Sequence, residues 1–230
     1  MKQKYIINAR DVGVILGKSP HICRTLLLFE KMGYKSNNII TKDIRRGINC
    51  EPIAIDIFKK KYNVNVFKPG FKRHSVINYI GGTVDGMYIN DNNERIIIEI
   101  KCPKSFNRKI PPHCYAQIQT YLQIHNIKNA KYIEYVVGNG LNIINIKKND
   151  KWWQTTFKSI RTFYEELLYW DLYGIINHSM FNDVLLNINY NNIYINYMSK
   201  PIDYSKFDKI CDYDEQPSAS DIKMLLDNVN

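Results

Sequence analysis

The chain has 230 residues, of which 45% are hydrophobic, enough to bury the core of one domain and too many for a wholly disordered chain. Its formal charge at pH 7 is +10, but residues 1–174 carry 28 Lys and Arg against 14 Asp and Glu, whereas residues 175–230 carry 4 against 8. A basic body followed by an acidic end is typical of a nucleic-acid binder with a separate tail.

Cysteine spacing and hydropathy narrow the class further. The five cysteines are scattered and form no C-x-x-C pair, so we expect no disulfide framework, zinc site or iron–sulfur cluster. An intracellular, reducing setting is the default for such a chain. No apolar run approaches the length of a membrane span, and we therefore expect no membrane partner.

Three helical patterns occupy the first part of the chain. Asn8, with Asp11 three residues later, is an N-cap signal for a short helix that Gly17 closes. Residues 21–33 predict a second helix, and residues 41–62 predict a third. The third helix carries an apolar stripe at Ile44, Ile48, Ile55 and Phe58.

Glu51 and Pro52 interrupt the third helical pattern. Glu51 falls on the apolar stripe, where a carboxylate without a partner would be costly, so the pattern favours a cation or a base near it. Pro52 removes a backbone donor and crowds the preceding turn, and we expect it to kink or restart the helix. The kink leaves a second interpretation open, in which Glu51 is a helix-end glutamate that reaches solvent.

A series of strand-like segments follows, at residues 64–67, 75–89 and 95–101. The turn-rich residues 90–94 separate the last two segments. In the last segment, RIIIEIK, alternate side chains share a face, so Glu99 and Lys101 lie on the same side as Arg95 and Ile97. The other face of that strand then carries only isoleucines.

The second half of the chain alternates between helix and strand. Residues 112–125 predict a helix that begins at prolines. Gly138-Asn139-Gly140 predicts a hairpin between residues 131–137 and 141–147. Asp150 is the expected cap of a long amphipathic helix. This order predicts an α/β fold, with one central mixed sheet flanked by helices.

Two carboxylates and a lysine are predicted to meet at one edge of the sheet. If the strands on either side of residues 90–94 pair, Asp85 lies close to Glu99 and Lys101. Confined carboxylates repel each other and need a proton or a divalent cation between them. Hard oxygen ligands, including the carbonyl of Ile100, suit Mg²⁺ or Mn²⁺. Lys101 is placed to orient an attacking water and to offset charge on a phosphate oxygen.

The spacing of these residues resembles a nuclease signature. V-D-G at residues 84–86, followed by E-I-K-C-P at residues 99–103, is similar to the motif of the PD-(D/E)-x-K nucleases. More narrowly, it resembles the phage lambda exonuclease and YqaJ-like viral recombinase (alkaline exonuclease) family. Three further segments agree in family order: INARDVGVILGKSP, RRGINCEPIAIDIF around Glu51, and HCYAQIQTYLQI around Gln117. The sequence departs from the family at Val84, where a proline is usual, and at Arg10, where a serine of a 5′-phosphate pocket is expected.

The resemblance implies a restriction-endonuclease-like core and a Mg²⁺-dependent exonuclease, with Mn²⁺ as a substitute. Its substrate would be double-stranded DNA with a free end, degraded from 5′ to 3′. The implied metal ligands are Asp85, Glu99 and the carbonyl of Ile100, with Glu51 supporting a second ion. Lys101 would orient the water, and Gln117 would position the scissile phosphate.

Candidate substrate contacts lie around these residues. Gln117 and Tyr121 match the Q-x-x-x-Y spacing of RecB-type nucleases and share a helix face. Thr83, two residues before Asp85, is a candidate donor to a phosphate. Arg10 and the pair Arg45-Arg46 are candidate contacts to the DNA backbone. The expected substrate-binding residues are Arg10, Arg45, Thr83 and Tyr121.

The resemblance also implies a biological setting. The role would be recombination or end processing of viral DNA, in the host cytoplasm or nucleus, with a ring-shaped homotrimer and a single-strand annealing protein as partner.

We expect a nuclease domain at residues 1–174 and an acidic extension at residues 175–230. Within the domain, the N-terminal helices span residues 8–33, the core about 40–148 and the long helix 150–174.

Other interpretations stay open at this stage. Glu99 and Lys101 could form a surface pair on an edge strand, with Asp85 as a turn former. Gln117 could face solvent, and Thr83 could be an ordinary strand residue. The same fold also serves structure-selective or site-selective endonucleases, and catalytically inactive DNA-binding homologues.

Overall fold

The computed structural model describes residues 4–34, 41–179 and 181. Within these ranges the helices are α1 (Ala9–Ile15), α2 (Arg24–Lys31), α3 (Lys42–Tyr62), α4 (Pro112–His125) and α5 (Asp150–Tyr173). The strands are β1 (Ile7–Asn8), β2 (Phe71–Arg73), β3 (Ile80–Thr83), β4 (Gly86–Ile89), β5 (Arg95–Lys101), β6 (Asn129–Val136) and β7 (Gly140–Lys147). The predicted acidic extension lies outside the described residues, except for residues 175–179 and 181.

The strands form two sheets that the chain joins at one point. The smaller sheet has the order β1-β3-β2 and the larger has the order β4-β5-β6-β7. Both are mixed, because β1 and β3 are parallel, as are β5 and β6, while the other pairs are antiparallel. The predicted mixed α/β class is confirmed. The single sheet is divided because Thr83 pairs with β2 while Gly86 pairs with β5, so that Val84 and Asp85 belong to neither ladder.

The two faces of β5 contact different helices, as its alternation predicts. Ile97 packs in a cluster that includes residues of α1, α2, α4 and α5. Ile98 and Ile100 pack in a second cluster with Phe58 of α3. Helices therefore cover both faces of the larger sheet, and β5 is a central strand between β4 and β6.

Two glycines let the elements around the end of β3 approach closely. A Cβ atom at Gly13 of α1 would lie 2.7 Å from the Cβ and 2.8 Å from the Cα of His113, in the first turn of α4. A Cβ atom at Gly82 of β3 would lie 2.7 Å from Cε1 of Tyr121. These contacts hold α1 and α4 against β3, and they bring the face of α4 that carries Tyr121 to the end of that strand.

The third helix differs from its prediction in two respects. It runs without interruption through Pro52, and does not restart there. The carbonyl of Ile48, which loses its helical partner at Pro52, belongs to a residue that is 60% exposed, so water can satisfy it. Ile44 is also exposed, while Phe58 is buried. Only the second half of the predicted apolar stripe therefore reaches the core.

Smaller differences concern the strands and one cap. Residues 64–67 form no strand, and Phe67 makes only an isolated bridge with Met87. The short strands β1 and β2 carry no alternation long enough to predict them. Asn149, not Asp150, caps α5, because its side-chain oxygen accepts a hydrogen bond from the backbone N–H of Trp152. None of the helices in the described ranges combines the length and apolar character needed to cross a bilayer.

Gly13 and Gly47 provide a matched pair of helical substitutions. We expect Gly13→Ala to lower the free energy of unfolding by about 1–3 kcal/mol, because the new methyl group meets backbone and Cβ atoms of His113. We expect Gly47→Ala to raise it by about 0.5–1 kcal/mol, because no atom lies within 4 Å of the new Cβ and alanine favours the helix. Urea denaturation followed by circular dichroism measures both. Equal effects of the two substitutions would contradict the close packing of α1 on α4.

Candidate active site

The register of β4 and β5 brings two carboxylates together. Gly86 pairs with Ile98, so Asp85, one residue before β4, lies across from Glu99. The Oδ2 atom of Asp85 accepts a hydrogen bond of 2.7 Å from the backbone N–H of Ile100. This bond holds the Asp85 carboxylate at the end of β5, where the sequence predicts it.

Glu99 is buried and pairs with Lys101. Its residue exposure is 0%, and its Oε1 atom accepts a hydrogen bond of 2.6 Å from Nζ of Lys101. Its Oε2 atom is buried and has no hydrogen-bond partner among the described residues. The alternative of a surface pair on an edge strand therefore does not describe Glu99, which lies in a central strand.

Burial and charge act together on the ionisable groups of this cluster. Burial raises the pKa of Asp85 well above its ordinary value, and the negative charge of Glu99 raises it further, against the opposing effect of Lys101. Burial is the largest single effect on Lys101 and would lower its pKa, but the negative charges of Glu99 and Asp85, the nearby Cys114 and the hydrogen bond to Glu99 together outweigh burial, so the pKa of this lysine is raised. Lys101 therefore stays charged, and ionising both carboxylates would place more negative charge here than one lysine balances.

The arrangement of Asp85 and Glu99 fits a divalent cation. A buried carboxylate oxygen without a partner is costly, and so is a second carboxylate beside it. An oxygen-ligated cation would relieve both costs, and the carbonyl of Ile100 follows Glu99 directly in the chain. These donors are two carboxylates and a carbonyl. In the described part of the chain, no three His, Cys, Asp or Glu side chains come together in a way that could hold a metal.

The side chain of Glu51 forms an ion pair with a lysine from a different segment of the chain. Its Oε1 atom accepts a hydrogen bond of 2.7 Å from Nζ of Lys68, and its side chain is 30% exposed. The sequence favours a cation or a base near Glu51, and the ammonium group of Lys68 is such a cation. Glu51 is still close enough to raise the pKa of Asp85, although burial, Glu99, Lys101 and the Ile100 hydrogen bond all act on it more strongly.

Gln117 and Tyr121 join α4 to the end of β3. The side-chain amide of Gln117 donates a hydrogen bond of 3.1 Å to the hydroxyl of Tyr121. That hydroxyl donates in turn to the backbone carbonyl of Thr83 at 2.7 Å. Burial raises the pKa of Tyr121, and the charges of Glu99 and Asp85 add to the effect, so this hydroxyl lies within the electrostatic reach of both carboxylates. Thr83 itself is exposed.

The two predicted arginines are exposed residues of α1 and α3. Arg10 on α1 has a side chain that is 78% exposed, and its Nε atom lies 3.8 Å from Oδ1 of Asp11. Arg45 is exposed near the start of α3. The neighbouring Arg46 contacts the chain directly after β5, because its Nε atom donates to the backbone carbonyl of Cys102 at 2.7 Å.

Comparison with models of protein families matches residues 1–128 to the YqaJ-like viral recombinase domain. This match covers more than half of the 230 residues. The chain belongs to the YqaJ-like viral recombinase family. Its resemblance to that family in the DG and E-x-K motifs is thereby confirmed. Comparison with curated protein sequences finds no match.

Solved structures share the fold of this YqaJ-like chain. LHK-Exo in complex with dAMP is 19% identical, with a TM-score of 0.64, over 75% of this chain and 92% of that one. The alkaline exonuclease LHK-Exo from Laribacter hongkongensis is 19% identical, with a TM-score of 0.61, over 73% and 90%. A phage-related exonuclease from Haemophilus somnus 129PT is 12% identical, with a TM-score of 0.54, over 71% and 95%. The core is therefore of the restriction-endonuclease-like α/β type, as expected.

Two contacts near the site are not indicated by the sequence patterns: the ion pair of Lys68 with Glu51, and the hydrogen bond of Arg46 to Cys102. Lys68 lies 17 residues from Glu51, in a loop without periodicity, so no local pattern links the two. Arg46 lies 56 residues from its partner Cys102. The pair Arg45-Arg46 is visible in the sequence, but only the direction of the helix face decides which of the two contacts the site.

The raised pKa of Asp85 predicts how stability changes with pH when no metal is bound. The folded protein binds this proton more tightly than the unfolded chain does, so the contribution of Asp85 to stability grows as pH falls through its folded pKa and is lost as pH rises. We expect Asp85→Asn to raise the melting temperature at neutral pH in EDTA. The difference in melting temperature between the variant and the wild type should become smaller in acid. The asparagine can still accept the hydrogen bond from Ile100.

Melting curves from pH 5 to 8 measure the difference between wild type and variant at each pH. Asp56→Asn, an exposed substitution on α3, is the matched control and should leave the difference near zero. An Asp85→Asn variant that is less stable than wild type at neutral pH would contradict the strained carboxylate pair.

Proposed function

We propose that this YqaJ-like protein is a Mg²⁺-dependent deoxyribonuclease that degrades linear duplex DNA from a free end, from 5′ to 3′. The observation that carries the proposal is the buried Glu99, with one oxygen bound to Lys101 and the other without a partner, across the register from Asp85. Membership of the family and the exonuclease names of the structural neighbours support a nuclease.

Asp85, Glu99 and the carbonyl of Ile100 would hold Mg²⁺, with Mn²⁺ as a substitute. A divalent cation bound there would polarise the scissile phosphate and lower the pKa of the attacking water. Glu51 is proposed to support a second ion. Its present partner Lys68 balances its charge, so the two side chains would have to separate for Glu51 to support an added ion.

The protein groups around the carboxylates have distinct proposed roles. Lys101 holds the water beside Glu99 and neutralises charge that develops on the phosphate. Gln117 positions the scissile phosphate, and Tyr121 fixes the orientation of Gln117 through their hydrogen bond. Thr83 lies at the same strand end as Tyr121 and would contact the substrate strand.

Contacts farther from the reaction are proposed on charge. Arg10 and Arg45 are exposed cations that would bind the DNA backbone, and the excess of Lys and Arg in residues 1–174 supports a DNA-binding body. The biological role would be viral recombination or DNA end processing. A ring trimer, a single-strand annealing partner and a separate role for residues 175–230 belong to the same proposal.

Metal binding can be tested without an activity assay. We expect Mg²⁺ or Mn²⁺ to raise the melting temperature of the wild-type protein by several degrees at saturation, because a ligand that binds only the folded state stabilises it. We expect Glu99→Gln to abolish this rise and to be more stable than wild type in EDTA, because it removes the buried unpaired charge.

The matched control is Glu165→Gln, the same change at an exposed carboxylate of α5 that pairs with Arg161. It should retain the full response to the metal. An equal response of wild type and Glu99→Gln would argue against a metal at Glu99.

Digestion of linear and circular DNA tests the reaction and the role of Lys101. We expect the wild-type protein to degrade a linear duplex in Mg²⁺ but not in EDTA, and to leave a closed circular plasmid intact. We expect Lys101→Ala to reduce the rate at least about 100-fold, because a cation next to the reacting phosphate is lost, while DNA binding persists.

The control Lys128→Ala removes an equal charge at the other end of the larger sheet, just before β6, and should digest at the wild-type rate. Cleavage of the closed circle would favour an endonuclease on the same fold. Binding of DNA without any cleavage would favour a catalytically inactive homologue.

A further inference from the structure

Arg108 has an unusual backbone conformation for its residue type. Among the described residues, four that are not glycine have a positive φ: Asn63 (50°), Asn93 (59°), Asn126 (49°) and Arg108 (55°). Asparagine tolerates the left-handed region, whereas a long side chain adopts it at a cost. A residue is held in such a conformation only when its surroundings enforce it, and such strain is concentrated at functional sites.

Glu134 is the residue that enforces this conformation. It lies in β6 and is completely buried. Its Oε1 atom accepts hydrogen bonds from the backbone N–H of Asn107 at 3.3 Å and from the side-chain amide of Asn107 at 3.1 Å. Its Oε2 atom accepts from the backbone N–H of Arg108 at 3.1 Å and from Asn142 at 2.9 Å. Three of these four donors belong to two consecutive residues.

Two successive backbone N–H groups that point to one side form a small anion-binding concavity. In this loop the concavity is filled by the protein's own carboxylate. Burying a carboxylate whose described donors are all uncharged is costly, and the hydrogen bonds recover only part of that cost. A connection that served the fold alone would use glycine or asparagine at the left-handed position, as the chain does at Asn63, Asn93 and Asn126.

The position of this loop connects it to the candidate active site. Glu134 is the register partner of Lys101 across the parallel pair of β5 and β6. The loop comprises residues 102–111, begins directly after Lys101 and leads into α4, which carries Gln117. Its three cations are all exposed, and it contains no acidic residue: Lys104, Arg108 and Lys109.

We propose that Glu134 is a positioning residue that holds the loop of residues 102–111 in place, so that the guanidinium of Arg108 binds a DNA phosphate next to the scissile one. The buried carboxylate binds the backbone of the loop, which leaves the Arg108 side chain free to point outward. A guanidinium binds a phosphate through two parallel N–H groups, and this geometry needs a fixed backbone. The proposal rests on the proposed nuclease function.

The Arg108→Gly variant separates a functional role from a structural one. Glycine adopts the left-handed conformation without strain, so we expect the melting temperature to equal or exceed that of wild type. Loss of the phosphate contact is expected to raise the Kd for a linear duplex and the KM for its digestion by about tenfold, with a smaller change in kcat. Fluorescence anisotropy with Ca²⁺ in place of Mg²⁺ measures the Kd, and digestion in Mg²⁺ measures KM and kcat.

Two controls match the two changes that Arg108→Gly makes. Asn126→Gly removes a left-handed side chain at the far end of α4, and Lys128→Ala removes one exposed positive charge just before β6. Both should leave Kd and KM at wild-type values. Arg108→Gly should also lower the slope of log Kd against log salt concentration by the amount expected for about one phosphate contact. Neither control should change this slope.

The Glu134→Gln variant tests whether Arg108 acts through Glu134. The amide has nearly the same shape, but its NH₂ group faces N–H donors, so we expect the loop to be released and the Kd to rise as in Arg108→Gly. The effects of the two substitutions should not add in the double variant, because each removes the same contact. Glu134→Gln is also expected to lower the melting temperature, so the stable Arg108→Gly variant carries the test if Glu134→Gln fails to fold.

Each outcome has a separate meaning. A wild-type protein that cuts linear DNA, with an Arg108→Gly variant of unchanged Kd and KM, would overturn the role of the loop and leave the nuclease function standing. Additive effects of the two substitutions would overturn the role of Glu134 in positioning Arg108. A wild-type protein that neither binds nor cuts DNA would overturn the nuclease function itself, and this inference with it.

Discussion

The burial of Glu99 beside Asp85 and Lys101 is the constraint on which the rest of the site depends. A carboxylate removed from water is unfavourable by several kcal/mol unless charges or hydrogen bonds compensate it. Here the pairing of β4 with β5 forces the second carboxylate against the first. One lysine and one backbone N–H do not balance two acids. The fold therefore holds two acids at this strand end that cannot both ionise without cost, and either a proton on Asp85 or a bound divalent cation would remove that cost.

The surrounding elements keep Glu99 buried. Because β5 is a central strand, helices cover both of its faces, and Ile97 and Ile98 pack in different hydrophobic clusters. The glycines at positions 13 and 82 let α1, β3 and α4 approach until backbone and ring atoms touch. This close approach brings Tyr121 to the end of β3, within electrostatic reach of the carboxylates. The same contacts therefore pack the hydrophobic core and place the Tyr121 hydroxyl near the carboxylates.

The acids near the end of β5 differ mainly in their partners. Glu51 faces Lys68, so a mobile ammonium balances it, whereas Glu134 faces the uncharged N–H groups of a loop. A carboxylate with a lysine partner can exchange that partner for another cation. A carboxylate that binds backbone amides cannot exchange them without releasing the loop, and is suited to holding a segment in place. Glutamates with the same side-chain chemistry, one in α3 and one in β6, are therefore suited to different roles because their partners differ.

The sequence by itself determined the local features: the bounds of α4, the hairpin at Gly138-Asn139-Gly140 and the two faces of β5. These depend on periodicity, caps and turn residues that lie within a few positions of one another. The DG and E-x-K motifs also identified the family. Only the tertiary structure decided that the sheet divides after Thr83, that Lys68 meets Glu51, that Arg46 contacts Cys102, and that Glu134 holds Arg108. Each of these contacts joins segments that are distant in the chain, and burial and backbone direction, which select among distant partners, exist only after the chain has folded.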